Sequence, residues 1–225
     1  MADKVRKEVS FQNRVEESLA LFFQKNKSVL IISVAVIVLA LAILIITLAV
    51  SSSQAEKNQQ LIDELSLQYD EWISSSETDS AVPQDLIQGL EALTSTKKSA
   101  YPALKAEYLL ALISAGQEQW SDAASRLETL AKNGKDTYFA SLAWFNLAVV
   151  SEAMGDSEAA LGYYQQVYDE TEGRAAESAR ALLSVARLHE EAGDTDLAKA
   201  VLQQLADEFP ESEYAKLALS HLVLL

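Results

Sequence analysis

The sequence predicts an all-α protein in which a single N-terminal transmembrane helix precedes an α-solenoid, a stack of helical hairpins. Three observations lead to this fold class. Residues 29–50 carry no charge and are apolar apart from Ser33 and Thr47. Past residue 55, Ala, Leu, Glu and Gln dominate, the whole chain has three prolines, and no run alternates as a strand would. A helical pattern also recurs every 37 to 38 residues, which is typical of repeat architectures.

Residues 1–27 are predicted to form a cytoplasmic tail. Six Lys and Arg residues precede the apolar stretch, and these residues resist translocation across a membrane. Within the tail, the segment 10–27 places four apolar side chains on one helical stripe: Val15, Leu19, Phe22 and Phe23. Two interpretations of this segment stay open, a short amphipathic helix on the inner membrane surface and a plain flank of the anchor.

A transmembrane helix is predicted over residues 28–50. The 22 apolar residues from Val29 to Val50 span about 33 Å as an α-helix, which matches a hydrocarbon core of about 30 Å. The alternative is a cleaved signal peptide, with "SQA" at Ser53–Ala55 as its best cleavage site. A signal peptide has a shorter leading segment and an apolar region of about 7 to 15 residues. We therefore expect an uncleaved anchor, with the N-terminus in the cytoplasm and residues 51–225 on the other side.

Residues 51–101 are predicted to hold a linker and a degenerate first helical pair. Leu86, Leu90 and Leu93 lie 37 residues before the apolar positions of the first clear repeat. The segment 83–97 therefore resembles the second helix of a hairpin, and its partner would be residues 56–75.

Residues 102–209 are predicted to form three helical hairpins. The second helix of each has a small residue followed by large apolar residues four and seven positions later. The aligned positions are Ala123, Leu127 and Leu130; Ala160, Tyr164 and Val167; and Ala198, Leu202 and Leu205. The first helices align at Leu110-Ala111, Leu147-Ala148 and Val185-Ala186. A glycine lies in each turn, at Gly116, Gly155 and Gly193, with Gly116 displaced by two positions.

This pattern resembles the tetratricopeptide repeat, a helix–turn–helix unit of about 34 residues. The middle hairpin carries the signature residues Trp144, Leu147, Ala148, Gly155, Asp156, Ala160 and Tyr164, and the last carries Leu182, Val185, Ala186, Gly193, Asp194, Ala198 and Pro210. The alanines allow close helix packing, the glycines suit a left-handed turn, and the following Asp or Ser caps the second helix. The period is longer than in the motif, and Ser151 and His189 replace its tyrosine. Residues 210–225 are predicted to form a C-terminal capping helix.

The charge of the exported part excludes nucleic acid as a partner. The chain has 18 Lys and Arg and 33 Asp and Glu, of which 6 and 4 precede the anchor, so residues 51–225 have a net charge of −17. Such a field repels nucleic acid. The chain has no cysteine, which excludes disulfides and thiol chemistry.

No catalytic, cofactor-binding or metal-binding site is predicted. The chain has no phosphate-binding glycine motif and no nucleophile elbow. The two histidines, His189 and His221, have no second histidine three or four residues away. We therefore expect a non-enzymatic protein without cofactor, metal or small-molecule substrate.

The resemblance to tetratricopeptide repeats implies a concave groove, lined by the first helix of each hairpin, that binds a protein partner. The positions that line it in such arrays correspond here to Lys105, Tyr108, Leu112, Leu142, Phe145, Asn146, Val149, Glu152, Arg180, Leu183, Ser184, Arg187 and Glu190. Because these are mainly apolar, with a basic pair at Arg180 and Arg187, we expect an apolar or amphipathic helix or an extended segment as the occupant. The alternative is that the C-terminal helix or a neighbouring copy in a homo-oligomer fills the groove. Alanine at Phe145 and Val149 is expected to abolish partner capture without unfolding the domain.

The layout as a whole resembles the YfgM-like inner-membrane proteins, with "ESLALFFQKNKSVL" entering the anchor. That resemblance implies a single-pass protein of the bacterial inner membrane whose periplasmic domain assists protein export, chaperoning or envelope-complex assembly at the translocon. Two other functions stay open. The chain can be a structural subunit of a large envelope machine such as a secretion or motility apparatus, or a regulator whose cytoplasmic tail binds a soluble signalling protein.

Overall fold

The computed structural model describes residues 27–75 and 81–225, and this part of the chain is helical without any strand. Its helices are α1 (Lys27–Ser74), α2 (Gln84–Thr94), α3 (Tyr101–Gly116), α4 (Trp120–Asn133), α5 (Tyr138–Ala153), α6 (Ser157–Thr171), α7 (Ser178–Glu191), α8 (Thr195–Glu208) and α9 (Glu213–Leu222). The predicted all-α fold class is confirmed. The predicted amphipathic helix at residues 10–27 lies, apart from Lys27, outside the described residues.

The chain divides into two units, Met1–Lys57 and Asn58–Leu225. In the first unit, the described residues belong to α1. From Ala35 onward this helix is long and apolar enough to cross a membrane, with a mean hydropathy of 2.8 over its most apolar window and none of that window buried. Near an N-terminus, a signal sequence can also pass this test of length and composition. Its leucines, isoleucines and valines are exposed, as Ile45 is at 66%.

The second unit begins with the end of α1 packed on α2. Ile62, Leu65 and Tyr69 of α1 share one apolar cluster with the buried leucines of α2 and with residues of α3. The two helices come close at Gly89, where an added Cβ would lie 2.8 Å from a Leu65 methyl carbon. Any larger residue at position 89 would force Leu65 to move, so the glycine sets the spacing of this pair.

Three hairpins follow, α3–α4, α5–α6 and α7–α8, and each packs on the next. The alanines that the repeat pattern singled out are fully buried: Ala123, Ala148, Ala160, Ala186 and Ala198 all have 0% exposure. The large positions of the pattern are buried as well, with Leu127, Leu147, Tyr164, Leu182 and Leu202 all at 4% exposure or less. Small side chains at the helix contacts let the helices approach, and large ones fill the space between them.

The turns inside the hairpins show one difference from the prediction. Gly155 and Gly193 have φ values of +79° and +84°, the left-handed conformation expected of them. In the first hairpin Gly116 instead ends α3, and Glu118, two residues later, takes the left-handed conformation with φ +59°. A side chain there carries a steric cost that glycine avoids.

The caps of the second helices also differ from one another. Asp156 caps α6 by accepting a hydrogen bond from the backbone N–H of Ala159 at 3.0 Å. Asp194 occupies the same place before α8, but its side chain accepts no capping hydrogen bond. The expectation that the aspartate caps the second helix therefore holds for Asp156 and is wrong for Asp194, whose carboxylate lies 3.9 Å from the imidazole of His189.

Helix α9 closes the array. Ser212 caps its start through a 3.0 Å hydrogen bond from the N–H of Ala215. Ala218 of α9 is buried in one cluster with Leu182, Leu202 and Leu205 of the last hairpin. The helix therefore covers an apolar surface that the last hairpin would otherwise expose, which is the role of a terminal cap in a repeat array.

Candidate functional site: the first-helix face

The residues predicted to bind a partner lie on the first helices of the three hairpins, α3, α5 and α7, and we call the surface that they form the first-helix face. Val149 and Arg180 are exposed and Phe145 is buried. The other predicted residues are half-buried: Lys105, Tyr108, Leu112, Leu142, Asn146, Glu152, Leu183, Ser184, Arg187 and Glu190. Tyr101 and Tyr108 of α3 contact Phe139 of α5. Arg180 and Arg187 of α7 contact Phe145 and Glu152 of α5, so the three first helices lie side by side.

Aromatic rings gather where α3 meets α5. The ring of the buried Phe139 lies 4.3 Å from that of Tyr138, 5.9 Å from that of Tyr101 and 6.5 Å from that of Tyr108, measured between centroids. We call the tyrosines Tyr101, Tyr108 and Tyr138 the tyrosine cluster. Burial raises the pKa of the Tyr108 hydroxyl, the amide of Asn146 partly offsets this, and the carboxylate of Glu177 adds to it.

Glu177 places a carboxylate beside the tyrosine cluster from the start of α7. It accepts a 3.2 Å hydrogen bond from the Ser141 hydroxyl of α5. Glu177 forms no ion pair with any cation in the described part of the chain. The cluster and this carboxylate together make the end of the face formed by the N-terminal turns of the first helices.

Phe145 belongs to the core and does not line an open surface. Its side chain is 5% exposed, its ring meets that of Tyr164 edge-on at 5.3 Å, and the Arg180 guanidinium covers it at 4.6 Å from the ring centroid. The interpretation of Phe145 as a residue open to a partner is therefore wrong for this structure, because α6 and α7 enclose the ring. Val149, one turn later on α5, is 42% exposed.

The middle of the face is an ion-pair network. Arg187 of α7 pairs with Glu152 of α5 at 2.5 Å and with Glu191 at 2.7 Å. The buried Tyr164 donates a 2.7 Å hydrogen bond to the other oxygen of Glu152. Burial raises the pKa of Tyr164 to about 12, and the adjacent Glu152 carboxylate contributes. The predicted basic pair is thus not free. Arg187 is neutralised by two carboxylates, and Arg180 stacks on Phe145.

The repeat pattern agrees with what comparison with protein-family models finds. Family models for the tetratricopeptide repeat match residues 108–175 and residues 152–222. The chain carries tetratricopeptide repeats. The chain is also similar to two solved structures. One is titled "Crystal structure of MamA", at 19% identity over 58% of this chain and 70% of that one with a TM-score of 0.46. The other is titled "Crystal structure of MamA protein", at 18% identity over 68% of this chain and 75% of that one with a TM-score of 0.48. No curated protein matches the chain significantly.

The capping helix reaches the far end of the first-helix face. His221 of α9 lies 3.5 Å from the Glu190 carboxylate of α7, so the cap meets one of the predicted groove residues but none of the others by a polar contact. Within the described residues no three His, Asp or Glu side chains converge as metal ligands would. An open depression of about 600 Å³ lies at the turn of the first repeat between Glu118 and Asp122, with Met154 on its rim. None of the predicted groove residues lines it.

Sequence reasoning missed four residues of this face: Tyr101, Tyr138, Ser141 and Glu177. A signal for the two tyrosines was present, since Tyr101 precedes Tyr108 by seven residues and Tyr138 precedes Phe145 by seven. A separation of seven returns to the same side of a helix. Ser141 and Glu177 are separated by 36 residues, close to the length of one repeat, which brings equivalent helices side by side.

Proposed function

We propose that this chain is a membrane-anchored tetratricopeptide scaffold that binds a protein partner through the first-helix face. Tetratricopeptide arrays are protein-interaction scaffolds whose stacked repeats present an extended binding surface. One observation supports the choice of face. The charged residues Glu152, Arg187 and Glu191 satisfy one another, while Val149 stays 42% exposed beside them. A partner that covers Val149 therefore does not have to desolvate an unpaired charge.

Photocrosslinking in intact cells tests this face. A photoreactive amino acid at Val149 is expected to capture a partner protein, because this side chain is exposed on a first helix. The matched control is Leu197, which is 52% exposed but lies on the second helix of the last repeat. Equal capture from both positions, or capture from Leu197 alone, contradicts the proposal.

The identity of the captured protein separates the functions. We propose a bacterial periplasmic role in protein export, chaperoning or envelope-complex assembly, in keeping with the YfgM-like layout, so translocon and chaperone components are expected. Stoichiometric components of an envelope machine would assign the structural-subunit role instead. Capture of a cytoplasmic signalling protein from the tail would assign the regulator role, and capture of the same chain would show that the face joins copies in a homo-oligomer.

The membrane placement has its own test. We propose that α1 crosses the inner membrane once, with the N-terminus in the cytoplasm and the repeats in the periplasm. The supporting facts are the helix from Ala35 onward, whose most apolar window has a mean hydropathy of 2.8, and the basic residues before it. Because the chain has no cysteine, single-cysteine variants report topology without background. A membrane-impermeant maleimide should label Ser121→Cys in intact cells and label Ser10→Cys only after lysis. The reverse pattern would show that the topology is opposite to the one proposed.

A further inference from the structure

We infer that the tyrosine cluster and Glu177 form a subsite for an arginine or lysine side chain of the protein partner. This inference rests on the proposed function and names the chemistry that the first-helix face recognises. It starts from the two exposed rings, Tyr101 at 40% and Tyr138 at 61% exposure. Both rings are held from beneath by the buried Phe139. They are therefore presented to solvent on a fixed support.

An aromatic face attracts a cation because the π-electrons concentrate negative charge there. The chain itself shows that this face accepts such a contact, since the guanidinium of Arg180 lies 4.6 Å from the ring centroid of Phe145. The tyrosine cluster offers the same kind of surface without an internal guanidinium on it: the one cation–π contact in the described residues is that of Arg180.

Glu177 supplies the negative charge that makes the subsite selective for a cation. The Ser141 hydroxyl lies 3.2 Å from this carboxylate and 2.9 Å from the carbonyl oxygen of Tyr138, its second acceptor. No cation in the described part of the chain neutralises the carboxylate. By contrast, Glu152 and Glu191 already share Arg187. The net charge of −15 over the whole chain draws basic segments toward it in addition.

Lys105 is the residue that works against this subsite. It lies between Tyr101 and Tyr108 on the same side of α3, four residues after the first and three before the second. Its ammonium forms no ion pair with a carboxylate in the described part of the chain. An incoming cation is therefore repelled by Lys105 and attracted by Glu177, so substitutions at the two positions should change its affinity in opposite directions.

The test compares two small probes on the full chain in non-ionic detergent. The probes are N-acetyl-Gly-Arg-Gly-amide and the same peptide with citrulline, which has nearly the shape of arginine without its charge. The chain has eight tyrosines, and ring-labelled tyrosine NMR signals can be assigned by single Tyr→Phe changes. The arginine probe is expected to shift the Tyr101 and Tyr138 signals saturably, with an affinity about two- to fivefold above that of the citrulline probe.

The variants separate this subsite from a general charge effect. Glu177→Gln is expected to remove the preference for arginine, whereas Glu158→Gln, which deletes the same charge on the exposed start of α6, is expected to keep it. Lys105→Gln is expected to raise the affinity for the arginine probe about twofold or more. Three results would overturn the inference: equal binding of the two probes, equal loss of the arginine preference in Glu177→Gln and Glu158→Gln, or weaker binding of the arginine probe to Lys105→Gln. Capture of a partner at Val149 together with equal binding of the probes would leave the proposed function standing and refute only this subsite.

Discussion

Replacing Phe145 by alanine is expected to destabilise the repeat domain strongly, in place of the selective loss of partner capture that the sequence suggested. The ring is 5% exposed, and truncating a buried phenylalanine to alanine costs about 3 to 5 kcal/mol. The substitution also removes the edge-on contact with Tyr164, worth about 0.5 to 1.5 kcal/mol within that total. It further deprives Arg180 of its ring. We expect a loss of about 4 kcal/mol, a large part of a domain stability of about 5 to 15 kcal/mol.

Urea unfolding of the full chain in non-ionic detergent measures this loss. The chain has three tryptophans, of which Trp144 packs against the same cluster as Phe145. Tryptophan fluorescence therefore includes a signal from the site, and far-UV circular dichroism reports on the helices as a whole. Val149→Ala is the matched control on the same helix. Because that side chain is 42% exposed, the substitution is expected to change stability by about 0.5 kcal/mol or less.

Two further variants divide the expected loss among its causes. Phe145→Leu keeps most of the apolar volume and should cost about 1 to 2 kcal/mol. Arg180→Ala leaves the ring in place but uncovers it, and should cost about 0.5 to 1 kcal/mol. The reasoning is refuted if Phe145→Ala stays within about 1 kcal/mol of the unmodified chain, or if it behaves like Val149→Ala. Either result would indicate that the Phe145 side chain is accessible to a partner.

Three other predictions concern backbone, caps and pH. Glu118→Gly should stabilise the chain by about 0.5 to 1 kcal/mol, and Gly155→Ala should destabilise it by about 1 kcal/mol, because both positions have positive φ. The midpoints of urea unfolding should therefore shift in opposite directions in the two variants. Asp156→Ala should cost about 1 kcal/mol through the lost cap and Asp194→Ala much less, and equal costs by thermal unfolding would contradict it. The raised pKa of Tyr164, about 12 against an ordinary 10, means that its stabilising contribution is complete below pH 10 and is lost as pH rises toward 12. Between pH 9 and pH 11.5, the free energy of unfolding of Tyr164→Phe should therefore fall by about 2 kcal/mol less than that of the unmodified chain. Urea unfolding measures this difference, and absorbance at 295 nm follows tyrosine ionisation.

The helical hairpins could be predicted from the sequence because their pattern depends on local rules. Alanine at positions 148, 160, 186 and 198 and large residues three or four positions away identify helix contacts wherever the chain places them. Gly155 and Gly193 likewise indicate the turns, because glycine readily adopts the left-handed conformation that these turns require. In the first turn Glu118 adopts the left-handed conformation without being glycine. This residue lies 37 positions before Gly155, so the repeat spacing marks the position although the residue type does not.

The composition of the first-helix face was harder to predict, because burial there depends on neighbouring helices. Phe145 and Val149 lie one turn apart on α5, and periodicity alone gives both the same environment. The difference comes from Tyr164 of α6 and Arg180 of α7, which enclose Phe145 and leave Val149 exposed. Periodicity within one helix carries no information on this, since it assigns residues to a side and not to a depth.

The repeat length itself carries information on pairing that a reading of single helices does not use. Glu152 and Arg187 are 35 residues apart and Ser141 and Glu177 are 36 apart, both close to one repeat. In a stack, each first helix lies beside the first helix of the next repeat, so residues one repeat apart become neighbours. Opposite charges at that separation on predicted first helices therefore indicate an internal pair, and the charge of Arg187 should be subtracted before a basic surface is inferred.

This subtraction changes what a partner can gain at Arg187 and at Glu177. With Arg187 held by Glu152 and Glu191, a carboxylate of a partner would have to displace two carboxylates that are already in place. Breaking the two existing ion pairs of Arg187 costs about as much free energy as the new pair with the partner gains, so the net affinity is small. Glu177 has no such internal competitor among the described residues, and a partner's cation gains a new pair there. The internal pairing of the face thus removes Arg187 as a site for a partner's carboxylate and leaves Glu177 available to a partner's cation.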